Sequence, residues 1–259
     1  MRSLVLASAL VVAVTACANG GTADQTTTTT APTPVEVVRD VQYAPGLRAD
    51  LYRADGSEGK PTIIWIHGGG FTTGDKTQLA TLAEDFARLG YPGMAIQYRL
   101  SEGGPWFPAS SLEDPELKAA TSKAVEDAQR AVAWLSSDEA AERGFGGDNV
   151  VLAGYSSGGI AAVSAGAAAE GPPIAGAVGI AGAAIDPSTL DSSSPPLLLL
   201  HGDLDDVVPI TLAKATCAAA ARQSAQCALE TVVGAGHGLP FEQPAAVESS
   251  IEAFLVGLP

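Results

Sequence analysis

A serine between two glycines is the residue of this chain best placed to act as a nucleophile. The motif is Gly154-Tyr155-Ser156-Ser157-Gly158, and it follows the apolar run Val150–Ala153 and opens a stretch of small residues with helical character. A tight strand-to-helix turn exposes such a serine hydroxyl, and the N–H groups at the helix start favour negative charge beside it. The motif therefore predicts a nucleophile elbow at Ser156.

Three further motifs that could take part in chemistry each follow an apolar, strand-like run. Glycines after a strand leave backbone N–H groups accessible to a reacting oxygen, and a histidine on such a loop can reach a nucleophile at the same sheet edge. The three motifs are His67-Gly68-Gly69-Gly70-Phe71 after Ile63–Ile66, His201 to Pro209 after Leu197–Leu200, and Gly236-His237-Gly238 after Leu229–Val233.

The chain contains only three histidines, so the candidates for a general base are few. His67 opens the glycine-rich loop, and its expected task is to brace that loop by hydrogen bonding. His201 precedes a group of aspartates and is expected to stabilise their turn in the same way. By elimination, His237 is the predicted base, and it follows the serine and the aspartates in the order Ser, Asp, His.

The order of strand-like and helical segments predicts the fold class. Near-continuous apolar strands that alternate with helices are typical of a mostly parallel sheet covered by helices on both faces. After an opening hairpin (Val35–Tyr43, Arg48–Arg53), the predicted strands are Thr62–Ile66, Gly93–Tyr98, Asn149–Ala153, Ile174–Ile180, Pro196–Leu200 and Ala228–Val233. The predicted helices are Thr77–Leu89, Leu117–Ser136, Ser157–Ala169, Ile210–Gln223 and Pro244–Val256.

Taken together, the motifs HGGGF, GYSSGG and HGDLDDVVP resemble the α/β-hydrolase superfamily. The similarity is nearest to its esterase/lipase branch, related to hormone-sensitive lipase and to bacterial feruloyl esterases, and it extends from about Val35 to the C-terminus. The resemblance implies an α/β-hydrolase fold with a sheet of about eight strands over residues 35–259. It also implies a serine carboxylic-ester hydrolase that acts on a small-molecule ester through an acyl-enzyme intermediate.

The resemblance assigns a role to each motif. Ser156 is the expected nucleophile, His237 the base, and the N–H groups of Gly69, Gly70 and Ser157 the oxyanion hole.

Three aspartates compete for the role of the acid that orients His237. Asp205 is the first choice, because it lies four residues after His201 and four before Pro209, the usual spacing of this loop in the family. Asp206 is the second choice, and Asp203 is expected to form hydrogen bonds within the loop.

Two departures from the family pattern concern the substrate. The elbow has Tyr155 before and Ser157 after the serine, where the hormone-sensitive-lipase type has an acidic residue and an alanine. The connection Gly103–Ser122 is longer than usual and carries Trp106 and Phe107, which are candidate pocket residues or, alternatively, anchors of this loop. Because the sequence contains no long apolar lid, we expect short-chain or aryl esters as substrates.

Two other functions are compatible with the motifs. A serine peptidase of the prolyl-oligopeptidase type shares this architecture, although no β-propeller precedes the domain here and the HGGG loop favours esterases. A catalytically silent surface binding module is the second alternative, and the complete set of triad residues argues against it.

The N-terminal segment predicts export. A basic start is followed by the apolar segment Leu4–Ala16, which as a helix would rise about 20 Å, less than the roughly 30 Å of a bilayer core. Val14-Thr15-Ala16-Cys17 fits a bacterial lipoprotein signal, so residues 1–17 are a predicted signal peptide with lipidation at Cys17. The predicted location is the cell surface or envelope, held at the membrane by a lipid anchor. Secretion after cleavage near Ala18 is the alternative.

Composition limits the remaining possibilities. Residues 18–34 contain five consecutive threonines and several prolines, which predicts a disordered stalk. The formal net charge is −15, with 29 acidic and 14 basic residues and no basic stripe, so nucleic acid is not an expected partner. The sequence lacks CxxC, HExxH and paired histidines, so we expect no metal and no cofactor.

Two cysteines remain once Cys17 is lipidated. Cys217 and Cys227 form an even pair in an exported protein, where disulfides persist. We expect a bridge between the predicted helix Ile210–Gln223 and the strand that leads to His237. Two small buried thiols are the alternative.

Overall fold

The computed structural model describes residues 33–104, 107–108, 112–146, 149–168 and 171–258. All of these residues belong to one compact unit, Thr33–Pro259. The predicted signal peptide with Cys17, nearly all of the predicted stalk, and Trp106 lie outside the described residues.

An eight-stranded, mostly parallel sheet forms the centre of the molecule, which confirms the predicted fold class. Its spatial order is β1-β2-β4-β3-β5-β6-β7-β8. β1 and β2 pair antiparallel, β2 and β4 also pair antiparallel, and every later pair is parallel. The strands are β1 (Glu36–Ala44), β2 (Leu47–Arg53), β3 (Thr62–Ile66), β4 (Gly93–Ile96), β5 (Val150–Tyr155), β6 (Gly176–Ile180), β7 (Leu197–Gly202) and β8 (Cys227–Val232).

Helices cover both faces of this sheet, and strand alternation explains why the central strands are apolar throughout. In β3, Ile64 and Ile66 belong to the core on the sheet face covered by α2, α4 and α5, whereas Ile63 and Trp65 belong to the core on the face covered by α1 and α7. Both faces are buried, so both sets of positions are mostly apolar. The helices are α1 (Ala80–Arg88), α2 (Pro115–Leu135), α3 (Asp138–Glu142), α4 (Ser157–Gly166), α5 (Ile210–Arg222), α6 (Leu239–Glu242) and α7 (Pro244–Val256).

The observed elements differ from the sequence predictions at a few ends and in two short helices. The predicted strand Gly93–Tyr98 ends at Ile96, because its partner β3 ends at Ile66; the side chains of Gln97 and Tyr98 beyond it bond to the loop after β3. The predicted helix Thr77–Leu89 begins only at Ala80, after a series of turns. The short helices α3 and α6 were not predicted, since four or five residues carry too little periodicity to be recognised.

Two fully buried carboxylates fix the loops that leave β3 and β4. Asp50 on β2 forms ion pairs with Lys76 Nζ at 2.7 Å and with Arg39 NH1 at 3.1 Å. Lys76 belongs to the loop after β3. Asp127 on α2 receives the backbone N–H of Arg99 at 2.8 Å and Arg130 NH1 at 2.7 Å. A buried carboxylate is tolerated only when it is paired and hydrogen-bonded. These ion pairs therefore hold the two loops against the sheet.

The predicted disulfide between Cys217 and Cys227 is confirmed. It joins α5 to the first residue of β8, the strand that leads to His237. The alternative of two free thiols is wrong.

We predict that the double variant Cys217→Ala/Cys227→Ala loses up to about 3 kcal/mol in free energy of unfolding, because the unfolded chain is no longer cross-linked over this short loop. Activity at 25 °C should stay within about twofold, since the bridge contacts none of the proposed triad residues. Urea unfolding of the oxidised wild type and of the variant measures the difference. Equal stability would show that the bridge contributes nothing.

Candidate active site

Ser156 lies at the junction of β5 and α4 in a strained backbone conformation. Its φ is 56° and its ψ is −121°, outside the regions that L-residues usually adopt. Its N–H donates to Ile180 O at 2.8 Å on the neighbouring strand β6, which holds the turn in place. Ser157 is the first residue of α4, so its N–H has no acceptor within the helix. The local structure is the sharp strand-to-helix turn that the sequence predicted.

Gly158 is what allows α4 to approach the sheet so closely. A Cβ at this position would lie 2.1 Å from Ile66 O and 2.4 Å from His67 O. No side chain fits in that space, so the backbone of α4 packs directly against the end of β3. This contact places Ser156 beside the loop that begins at His67.

The three polar side chains at this edge form a continuous hydrogen-bonded chain. Ser156 Oγ lies 2.9 Å from His237 Nε2, and His237 Nδ1 lies 2.9 Å from Asp205 Oδ2. Ser156 is 5% exposed and Asp205 8%, so the chain is largely shielded from water. In this arrangement His237 donates its Nδ1 proton to the carboxylate, and its Nε2 is free to accept the serine proton.

Asp205 is the aspartate that reaches His237, and the two alternatives do not. Its Oδ1 accepts the N–H groups of Val207 at 3.0 Å and of Val208 at 2.9 Å. Burial raises the pKa of Asp205, but hydrogen bonds from His201, His237 and Val208 together outweigh it and hold the pKa well below its usual range. The group is therefore a carboxylate at neutral pH.

The other two aspartates of the loop point elsewhere. Asp206 is exposed, whereas Asp203 Oδ1 accepts the N–H of Gly234 at 2.6 Å and links the loops after β7 and β8.

The glycine loop after β3 lies beside Ser156 and carries backbone N–H groups without a partner. Gly69 has a φ of 116°, and a Cβ there would lie 2.1 Å from Thr73 O, so only glycine fits the turn. Among the residues that the structure describes, no acceptor pairs with the N–H of Gly69 or Gly70. These donors and the N–H of Ser157 remain available for a ligand oxygen.

His67 braces this loop, as its position predicted. Its Nδ1 lies 2.7 Å from Gly68 O, which can only accept, so Nδ1 carries the proton. Its Nε2 accepts from Gln97 Nε2 at 3.2 Å. Burial lowers the pKa of His67, more than its bond to Gly68 raises it, which agrees with a neutral ring.

Three residues to which the sequence analysis assigned no role complete this bracing, namely Gln78, Gln97 and Tyr98. The Tyr98 ring stacks on His67 with centroids 4.2 Å apart, and its hydroxyl donates to His67 O at 3.2 Å. Burial raises the pKa of Tyr98 to about 12, so it is a permanent donor. Gln78 accepts the N–H of Gly68 at 2.6 Å. A signal in the sequence could have identified Gln97 and Tyr98. They stand at the end of a predicted strand, at the same sheet edge as the motif that begins at His67.

Aromatic rings flank both sides of the site. Tyr155, which precedes the serine, lies 5.2 Å from the His237 ring and makes an edge contact with Phe241 at the same centroid distance. Phe107 is half-buried, and one of its ring carbons would lie 3.5 Å from a Cβ built on Gly70. The structure therefore brings Phe107 to the predicted oxyanion loop, while Trp106 lies outside the described residues.

Comparison with family models identifies the chain. Residues 49–180, just over half of the chain, match the model of the BD-FAE family. The chain belongs to the BD-FAE family. This family consists of α/β-hydrolase-like esterases, and the chain is a carboxylic ester hydrolase. No curated protein matches significantly.

Solved structures of bacterial esterases share the fold of this BD-FAE member. A propionate-bound thermophilic esterase of the planctomycete Thermogutta terrifontis is similar at a TM-score of 0.64 and 22% identity, over 87% of this chain and 94% of that one. Esterase 2 of the same organism, phosphorylated by paraoxon, gives the same values. A truncated carbohydrate esterase from gut microbiota has a TM-score of 0.69 and 17% identity, over 87% and 96% of the two chains. These similarities show the fold.

Two further findings concern metal ligands and membrane-spanning helices. Within the described residues, no group of three His, Cys, Asp or Glu side chains could hold a metal ion. No helix in that part of the chain is both long and apolar enough to span a membrane.

We predict that Gly158→Ala lowers the free energy of unfolding by about 3 kcal/mol, the upper end of the usual cost of overpacking, and abolishes most esterase activity. The added Cβ would push α4 off the end of β3, an overpacking that also displaces Ser156. Gly257→Ala is the matched control, because its Cβ would meet only ordinary contacts at 3.5 Å. Thermal unfolding and ester hydrolysis are measured for both. A Gly158→Ala variant as stable and active as Gly257→Ala would contradict this account of the elbow.

Proposed function

We propose that this BD-FAE member hydrolyses short-chain or aryl esters with Ser156 as nucleophile, His237 as general base and Asp205 as the group that orients it. The observation that carries the proposal is the pair of 2.9 Å contacts, Ser156 Oγ to His237 Nε2 and His237 Nδ1 to Asp205 Oδ2. A general base must lie within hydrogen-bond reach of the proton it takes, and this one does.

The first half-reaction forms the acyl-enzyme. His237 Nε2 takes the Ser156 proton as Oγ bonds to the ester carbonyl carbon, and the carbonyl oxygen gains the negative charge. The N–H groups of Gly69, Gly70 and Ser157 donate to that oxygen. When the tetrahedral intermediate collapses, the C–O bond to the alcohol breaks and His237 gives its proton to the leaving oxygen.

The second half-reaction releases the acid. A water molecule gives a proton to His237 Nε2 and bonds to the acyl carbon, and the same N–H groups stabilise the second oxyanion. His237 then returns the proton to Ser156 Oγ as the acyl bond breaks. Asp205 remains ionised throughout, which its lowered pKa supports.

We predict that Ser156→Ala and His237→Ala each lower kcat by several powers of ten, and that Asp205→Asn lowers it on the order of 10⁴-fold because the imidazole tautomer is no longer fixed. Asp206→Asn is the control, since Asp206 is exposed and should leave kcat within about twofold. Steady-state hydrolysis of p-nitrophenyl butyrate measures all four. Loss of activity in Asp206→Asn with retention in Asp205→Asn would contradict the choice of acid.

A small acyl group is what the surroundings of the proposed oxyanion loop favour. Phe107 packs partly against the core and lies next to Gly70, so we expect its ring to limit the space beside that loop. Only a short or flat acyl group fits beside this ring, which suits acetyl, butyryl or aryl esters. The BD-FAE family assignment favours an ester over a peptide substrate.

We predict higher kcat/KM on p-nitrophenyl acetate or butyrate than on the palmitate ester, with little hydrolysis of long-chain triglyceride emulsions. Phe107→Ala should raise kcat/KM on the octanoate ester relative to butyrate by about tenfold, because the ring no longer blocks the chain. Val256→Ala, an exposed apolar residue at the end of α7, is the control. Greater activity on triglyceride emulsions than on butyrate esters would overturn the proposed preference.

For location, we propose a lipid anchor at Cys17 and a stalk over residues 18–34 that holds the enzyme at the cell envelope. The apolar segment Leu4–Ala16 before a cysteine supports it.

We predict that the protein expressed in a bacterium partitions with membranes, whereas Cys17→Ser releases it to the soluble fraction or blocks its processing. Recovery of the wild type in the medium, cleaved near Ala18, would support ordinary secretion instead.

A further inference from the structure

His201 is a completely buried imidazole that lies directly behind the proposed acid. It is the second-to-last residue of strand β7. Its Nε2 is 2.7 Å from Val208 O and 3.3 Å from Asp205 Oδ2. Sequence analysis expected only that it would stabilise the turn.

Donor and acceptor accounting defines its state. A carbonyl oxygen can only accept, so Nε2 must carry the proton that faces Val208 O. Nδ1 is buried and has no partner among the described residues. A second proton there would be an unpaired buried donor, which is costly, so the ring is neutral with its single proton on Nε2. That proton is directed to Val208 O, and Asp205 Oδ2 lies 3.3 Å from the same nitrogen.

We propose that His201 is a positioning residue for the esterase reaction, which acts through Asp205 by holding the carboxylate oxygen that faces His237. The proposal rests on the proposed triad. His201 does not itself contact Ser156 or a substrate.

The contacts of Asp205 show why a second donor matters. Its Oδ1 is anchored by the N–H groups of Val207 and Val208, neither of which holds Oδ2. Oδ2 is the oxygen that receives His237 Nδ1 at 2.9 Å. The buried His201 ring, with its protonated Nε2 3.3 Å from Oδ2, limits the movement of this second oxygen. His237 thus meets an acceptor of fixed direction, and its ring stays aligned with Ser156.

Two variants separate the hydrogen bond from the volume of the side chain. His201→Leu removes the donor and keeps an apolar group of similar size, whereas His201→Gln retains an amide N–H that can reach the Nε2 position. We expect kcat on p-nitrophenyl butyrate to fall about tenfold in His201→Leu, as for the loss of one donor to a charged group, with KM changed less than about twofold. His201→Gln should recover kcat to within about threefold of the wild type.

A buried hydroxyl elsewhere provides the matched control. Thr216 Oγ1 accepts the N–H of Ala184 at 3.1 Å and donates to Leu212 O, far from Asp205 in the hydrogen-bond network. Thr216→Val should lower stability by a similar amount and leave kcat of the folded protein unchanged. All rates are measured on the folded, monodisperse fraction, so that partial unfolding does not imitate a loss of kcat.

A double-mutant cycle with Asp205→Asn decides the question. If His201 acts through Asp205, then His201→Leu should lower kcat about tenfold in the wild-type background and less than about twofold in the Asp205→Asn background. An equal loss in both backgrounds, or an unchanged kcat in His201→Leu, would overturn the proposal. So would a His201→Gln variant no better than His201→Leu. If Asp205→Asn itself retains full activity, the proposed triad fails instead, and the two failures are distinguishable.

Discussion

The backbone strain at Ser156 is the constraint on which the rest of the site depends. A non-glycine residue at φ 56° and ψ −121° costs on the order of 1–3 kcal/mol, so it persists only where the surroundings leave no alternative. Here β6 holds the serine N–H, and the bare backbone of Gly158 rests on the end of β3. The buried central sheet therefore supplies the stability that keeps the hydroxyl exposed to His237.

The loops that complete the site are held by polar contacts from below the sheet edge. Asp50 anchors the loop after β3 through the ammonium group of Lys76. The backbone N–H of Lys76 also donates to Gln97 Oε1 at 3.3 Å. Gln97 bonds to His67 as well, so one amide connects the ion pair to the glycine loop. Asp127 holds the chain just beyond Tyr98. The glycine loop is thus held by neighbours that are themselves buried or paired, which keeps its N–H groups in place before a substrate arrives.

The sequence indicated the fold and the residues of the site because these depend on local patterns. Apolar runs buried on both faces identify the central strands, and a motif after each run gives the sheet edge at which Ser156, Asp205 and His237 meet. Spacing alone left Asp206 open as the acid. Only the structure shows that the turn closed by Val207 and Val208 directs Asp205 inward and leaves Asp206 in solvent.

The remaining features depend on contacts between segments far apart in the chain. The pairing of Gln97 with His67 and the approach of His201 to Asp205 arise from side chains brought together by strand order, which no periodicity encodes. The end of β4 was missed for the same reason, because it depends on where its partner β3 ends. The short helix α6 was missed for a different reason, since four residues carry too little periodicity.

Covalent labelling with a fluorophosphonate probe, followed by peptide mass mapping, tests the central claim most directly. The account predicts one adduct per molecule, on the peptide that contains Ser156. It also predicts no adduct in Ser156→Ala and much slower labelling in His237→Ala, although both variants are folded. An adduct on a different residue, or labelling of Ser156→Ala at the wild-type rate, would contradict the assignment of Ser156 as the nucleophile.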